Sequence, residues 1–142
     1  MSGVVQPVVA RLAASKGLTG ALAVEGMAGF QQALRGVSTS PIQFVLPTGD
    51  SASRSSSATM ITRQDGEERF DVVTAFLLAT LAKAVDTLDA VRDATRQTLL
   101  GWPHPLSGEP VEYRGGRLMI FDPAKGQLFW QQSFAFQRLF EG

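Results

Sequence analysis

Residues 110–140, PVEYRGGRLMIFDPAKGQLFWQQSFAFQRLF, constrain the fold more than any other stretch of this chain. Apolar and polar side chains alternate through much of it, and a period of two is the signature of a strand with one buried face. Trp130, Phe134, Phe136 and Phe140 all fall on even positions. One strand therefore presents four aromatic rings to the same side, and that side has to be covered. DPAKG (122–126) supplies turn residues just before it. Gly115-Gly116 is expected to make another, two-residue turn with positive φ, setting Arg114 opposite Arg117, Tyr113 opposite Leu118 and Val111 opposite Ile120. The C-terminal part thus reads as a meander.

Helical spacing elsewhere supplies the cover. Val4, Val5, Val8, Val9, Leu12 and Ala13 recur on one helical face, with Ser2 able to cap, Pro7 tolerated in the first turn and Gly17 a natural stop. GALAVEG (20–26) reads as a short strand, and Met27, Phe30 and Leu34 stripe a short second helix closed by Gly36. PIQFVLP (41–47) is a strand between prolines, with Ile42, Phe44 and Leu46 alternating toward one face. TGDSASRSSSAT (48–59) is serine-rich, has no aliphatic side chain larger than alanine, and is expected to be a flexible polar loop. FDVVTAFLL (70–78) reads as a buried strand. From about Thr80 to Leu100 the spacing predicts a long helix, with Leu81, Val85, Leu88, Val91 and Leu99 on one side and Lys83, Asp86, Arg92, Asp93 and Arg96 on the other. Gly101 is placed to end it. The expected architecture is α+β, a single domain over residues 1–142 with a mainly antiparallel mixed sheet and helices packed on one face.

At 142 residues the chain has the length of one domain and can bury roughly 70% of its unfolded surface. Its 13 lysines and arginines balance 13 aspartates and glutamates, which leaves no net charge for tight, sequence-independent binding to phosphate backbones. There is no cysteine, so disulfides, thiolate nucleophiles and cysteine-ligated zinc are excluded. The N-terminus lacks a basic region before its apolar residues and does not read as a signal peptide. The most apolar run, Val72 to Ala82, falls far short of the about 20 residues that span a bilayer.

A search for chemistry finds little. The only histidine, His104, sits between Pro103 and Pro105 and reads as a surface residue of a stiff linker. The serines of 51–57 lack a nucleophile elbow and a nearby base. Asp86, Asp89 and Asp93 have helical spacing, but Arg92 and Arg96 interleave with them and make a salt-bridged solvent face the better reading. Arg63, Asp65, Glu67, Glu68 and Arg69 cluster around Gly66 as charges of a sheet edge or interface. GLTG and GMAG lack the lysine and spacing of a phosphate loop. No catalytic, cofactor-binding or metal-ligating residue is assigned, and no cofactor is expected.

The order of segments carries more information than any one of them. PVVARLAA, ALAVEG, MAGFQQAL, PIQFVLP, a polar loop, RQDGEERFDVV (63–73), a long helix ending LLGWPHP (99–105), then EPVEYRGGRL (109–118) and an aromatic strand together resemble the tail terminator proteins of long-tailed bacteriophages, the group that includes the lambda-like minor tail protein U. The resemblance spans about residues 4 to 140. It implies a non-enzymatic virion protein whose fold is a mixed sheet backed by helices. It further implies a homohexameric ring that caps the tail tube, stops its polymerisation and offers a docking surface to head-completion or neck proteins, at the tail–neck junction of a particle assembled in the host cytoplasm. The implied partners are further copies of the chain, the tail tube protein and the neck protein, with DNA passing through the lumen unbound and no membrane.

A ring of this kind needs two different patches on each subunit, about 800 Å² on each side of a stable contact. Exposed sheet edges are the obvious donors, and QDGEERF (64–70) and the C-terminal strand are the expected ones. Arg54, Ser55, Arg63, Asp65, Glu67, Glu68, Arg69, Arg114 and Arg117 are the interface candidates, with Arg54 at the centre of a loop suited to contact the tube or line the lumen. Two other readings stay open at this point. One is a head–tail connector or tube-like ring protein. The other is a small ligand-binding or enzymatic α+β domain, which would need a pocket joining His104 to a carboxylate.

Overall fold

The computed structural model describes residues 3–15, 23–25, 27–36, 41–52, 63–77 and 81–141. In chain order these form α1 (Val5–Ala13), β1 (Ala23–Glu25), α2 (Met27–Ala33), β2 (Ile42–Ala52), β3 (Arg63–Leu77), α3 (Leu81–Leu99), β4 (Glu112–Asp122) and β5 (Gln127–Glu141). The five strands make one sheet in the order β1-β2-β3-β5-β4, parallel between β1 and β2 and antiparallel elsewhere. This is the α+β class with the largely antiparallel mixed sheet that the sequence predicts.

Strand alternation sorts the core into two layers. Val45, Phe70, Val72, Phe134 and Phe136 point to one face, where Val8 and Leu12 of α1 and Leu99 of α3 cover them. Phe70 stacks on Phe134 with centroids 5.5 Å apart. Phe44, Val73, Ala75 and Phe129 point to the other face and meet Phe30 and Ala33 of α2. The two long helices thus share one face as expected, and the short α2 adds a cover to part of the other. Seven residues are too few for a helix to persist alone, so packing holds α2 in place. Phe30 supplies it, edge-on to Phe44 at 5.7 Å and to Phe129 at 6.0 Å.

Three local expectations are corrected. Gly115-Gly116 is not a turn: β4 runs unbroken through it, so Arg114 and Arg117 lie on one strand, Tyr113 pairs with Phe134 and Leu118 with Trp130. Val111 precedes the strand and is buried in the first layer. The glycines form a bulge, where the register jumps between Tyr113 and Gly115 and Gly115 takes φ +129. A continuous ladder along β5 satisfies more backbone groups than a reversal would, and the bulge absorbs the extra residue. DPAKG does make the turn expected of it, between β4 and β5.

The second correction concerns length. β2 continues from Pro47 through Ala52, so the first five residues of the expected polar loop are strand, paired with Gly66–Arg69 across a register shift between Pro47 and Gly49. β3 likewise begins at Arg63, because β5 pairs with it over all 15 residues. Partner strands override the weak β-propensity of these polar stretches. The remainder of the loop, 53–59, lies outside the described residues, as do Ser2, Gly17 and the side chains of Leu81, Lys83, Val85 and Asp86.

The third correction is His104, which is fully buried and not a surface linker residue. Its Nε2 lies 2.9 Å from the Val4 carbonyl oxygen, and its Nδ1 accepts the Leu106 amide at 3.1 Å. Its ring lies against Phe136. The prolines beside it shape a tight loop, held by Gly101 N–H to Val111 O, Val111 N–H to Trp102 O and His104 N–H to Glu109 O. That loop folds the imidazole inward.

Candidate functional site: a charged three-stranded arm and two open edges

The partners of each strand differ in length, and this mismatch creates the surface of interest. β1 pairs with β2 only at Ile42–Phe44, and β4 reaches β5 no further than Ala135. Beyond those limits Gly49–Ala52, Arg63–Arg69 and Ala135–Glu141 continue as a narrower three-stranded arm.

Within QDGEERF, Gly66–Phe70 is not an edge but the middle of the arm, paired on both sides, whereas the described ladder with β2 stops at Gly66; the C-terminal strand is interior up to Ala135. Among the described residues the open edges are β4 along its outer side, β2 beyond Phe44, and β5 beyond Ala135. The β5 edge is partly closed where Ser107 Oγ donates to Gln137 O at 2.7 Å. Sequence order could not reveal this, because the strand nearest in space to β5 on its inner side is β3, fifty residues upstream.

Alternation splits the predicted charges between two faces. Glu67 and Arg69 share one face with Asp65, and there Arg114 of β4 reaches Glu67 at 2.6 Å and Glu112 at 3.1 Å, while Arg69 stands 4.0 Å from Glu67. Arg69 also donates to the Asp50 carbonyl at 3.3 Å. Arg117, further along β4, donates to Gln131 Oε1 at 3.0 Å, and Gln131 in turn donates to the buried carboxylate of Asp71. Glu68 points to the opposite face, is nearly buried, and holds Arg138 at 2.6 Å. Arg138 lies over the Phe140 ring at 5.2 Å. The structure so brings Asp65, Glu67, Arg69 and Arg114 to one face, with Arg117 further along it, and sets Glu68 on the other. The backbone of Arg63 pairs with Glu141, and its side chain lies outside the described residues, as do Arg54 and Ser55.

Chemically this surface is equipped for contact. A groove of ≈ 540 Å³ runs along the arm, lined by Asp65, Leu106, Ser107, Glu109, Gln137, Arg138 and Leu139. It holds no paired nucleophile and base. His104 does not line it and has both ring nitrogens committed to backbone groups. Burial lowers its pKa, and the opposing effects of the Val4 hydrogen bond and of the Glu68 charge are smaller. On α3, Arg92 pairs with Asp89 at 3.4 Å and Arg96 with Asp93 at 3.0 Å, the salt-bridged face that the sequence predicts. Among the described residues no three His, Asp or Glu stand together as a metal site, and no helix is long and apolar enough to cross a membrane.

Sequence reading missed the apolar side of β4, where Leu118, Met119 and Phe121 are exposed by 48%, 37% and 52%. The unalternated run Leu-Met-Ile-Phe was the available signal. A strand whose apolar residues fill both faces has more of them than one core can bury.

The family model described as "Phage tail terminator protein" matches residues 4–141. No curated protein matches the sequence. Among solved structures, a chain of the "Virion of native gene transfer agent (GTA) particle" is similar, 18% identical over 100% of both chains with a TM-score of 0.56. At that identity the likeness speaks for the fold.

Proposed function

The chain belongs to the phage tail terminator protein family, and we propose that it closes into a hexameric ring on the end of the tail tube, stops tube growth and presents the surface on which head-completion proteins dock. It is a structural phage tail protein and not an enzyme. The single observation that carries the finer reading is the family match across 4–141, nearly the whole chain, which leaves no room for a second catalytic module within it. The architecture supports it as well. A plate with open strand edges and a charged arm offers patches for neighbours, while its one histidine is sealed in the core.

In this reading the ring stands at the tail–neck junction, assembled in the host cytoplasm, with the tail tube protein on one side and a neck protein on the other. DNA slides through its lumen, and a chain with equal numbers of acidic and basic residues suits a channel that must not hold phosphates. The arm carries the interface charges Asp65, Glu67, Glu68 and Arg69, with Arg114 beside them, and Arg54, Ser55, Arg63 and Arg117 are the further contact residues in this reading. Electron microscopy of the purified protein mixed with tail tubes tests this. A six-fold cap at one tube end, with elongation halted, is the expected result; tubes that keep growing uncapped would sink it.

A further inference from the structure

We infer that an ordered water is bound around Gly116, where it ties α3 to β5 and β4, and that residue 116 is glycine to leave room for it. The site belongs to the folded subunit, whether or not that subunit joins a ring.

The face of the sheet beneath the middle of α3 is polar. Gln43, Thr74 and Gln132 are buried there, and Thr95 of α3 is buried with them. Gln43 Nε2 donates to Thr95 Oγ1 at 2.8 Å and to Thr74 Oγ1 at 3.2 Å, while Gln132 Nε2 donates to the Arg92 carbonyl at 3.1 Å. The bond to Arg92 fixes which way the Gln132 amide points. Turning it over would set oxygen against oxygen. In the orientation so fixed, Gln132 Oε1 is buried and meets no donor among the described residues.

Two buried donors beside it are also unpartnered, Trp130 Nε1 and Arg92 Nε. Trp130 stands two residues before Gln132 on the same face of β5, and the Arg92 guanidinium lies 4.2 Å over its ring. Across the ladder Gly116 pairs with Gln132, and a Cβ on it would come 2.8 Å from the Tyr113 hydroxyl and 3.1 Å from Trp130 Nε1. Indole, hydroxyl and amide therefore converge on the space that residue 116 leaves by having no side chain. Gly115 needs its positive φ, but Gly116 has none, so its backbone would accept alanine. Space is what requires glycine there.

Buried polar groups without partners are costly, and water relieves them where two to four such groups surround it. An ion does not suit this set. The Gln132 oxygen would repel an anion and the Arg92 guanidinium a cation, whereas a water accepts from the indole and guanidinium N–H groups and donates to the amide oxygen.

Water–protein NOE spectroscopy of the labelled full chain tests this. The Trp130 indole proton is identified as the peak that Trp130→Phe removes, and it should show a cross-peak to water with the sign of a long-held molecule. Tyr113→Phe, which removes the exchangeable hydroxyl proton, should keep the cross-peak. Gly116→Ala and Gln132→Met should each lose it, and Gly36→Ala, with open space around residue 36, should retain it. The native spectrum decides even where a variant fails to fold: an indole proton without that cross-peak would overturn the site. So would a cross-peak that vanishes in Tyr113→Phe, or one that persists in both Gly116→Ala and Gln132→Met.

Discussion

The imidazole of His104 lies flat on the ring of Phe136, centroids 4.0 Å apart and 8° from parallel. Around it the two ring nitrogens have opposite roles: Nδ1 accepts the Leu106 amide, so Nε2 carries the proton and donates to Val4 O. A second proton on Nδ1 would point at the amide hydrogen of Leu106.

Stability should therefore fall with acid. The folded pKa of His104 is lowered by burial, so the unfolded chain binds the proton more readily. The contribution is complete above the ordinary value near 6.5 and is lost as pH falls toward and through the lowered one. Thermal melting between pH 7.5 and 5.5 should show a declining midpoint. His104→Asn should melt lower at pH 7.5 and show a flatter slope; an unchanged slope would remove His104 as the cause.

Gly66 is the point of closest approach in the arm. A Cβ there would press into the Ser51 carbonyl oxygen and the Phe140 ring, the first of which is backbone and cannot turn away. Gly66→Ala should cost about 1–3 kcal/mol in denaturant unfolding. Gly36→Ala, with open space around it, serves as the control.

Two ion pairs of equal length should differ in worth. Arg138–Glu68 and Arg114–Glu67 both stand at 2.6 Å, but Glu68 is the more buried carboxylate, 11% exposed against 18%, and Glu67 also has Arg69 at 4.0 Å. Arg138→Met strands a nearly buried carboxylate and should cost about 1–2 kcal/mol, discounted because Arg138 itself is partly in water. Arg114→Met should cost less than about 1 kcal/mol. Urea unfolding of both variants checks the order.

Phe30 is the buried anchor of α2. Phe30→Ala should cost about 3–5 kcal/mol and expose the amides of 27–36 to hydrogen exchange ahead of the sheet.

Much of this protein was legible in its residues because periodicity is local. The spacing of Val8 and Leu12, the alternation of Phe70, Val72, Phe134 and Phe136, the turn at 122–126 and the helix ending at Gly101 each follow from neighbours within one or two turns of chain. The family resemblance also rested on such segments in order, and the match over 4–141 agrees with it. The charge pairs on α3 were equally readable, being three residues apart.

What the chain order concealed was decided by partners far away in sequence. β3 and β5 became long strands because each offers the other fifteen backbone partners, and with β2 on the other side this turned Gly66–Phe70 from an edge into the middle of an arm. The same ladder drew Gly115-Gly116 out of a turn and into a bulge, and moved the open edges to β4 and β2. His104 was buried by Val4, one hundred residues away. Side-chain periodicity determines which residues seek cover, whereas backbone hydrogen bonding between distant segments decides which strands receive a neighbour, and only folding brings those segments together.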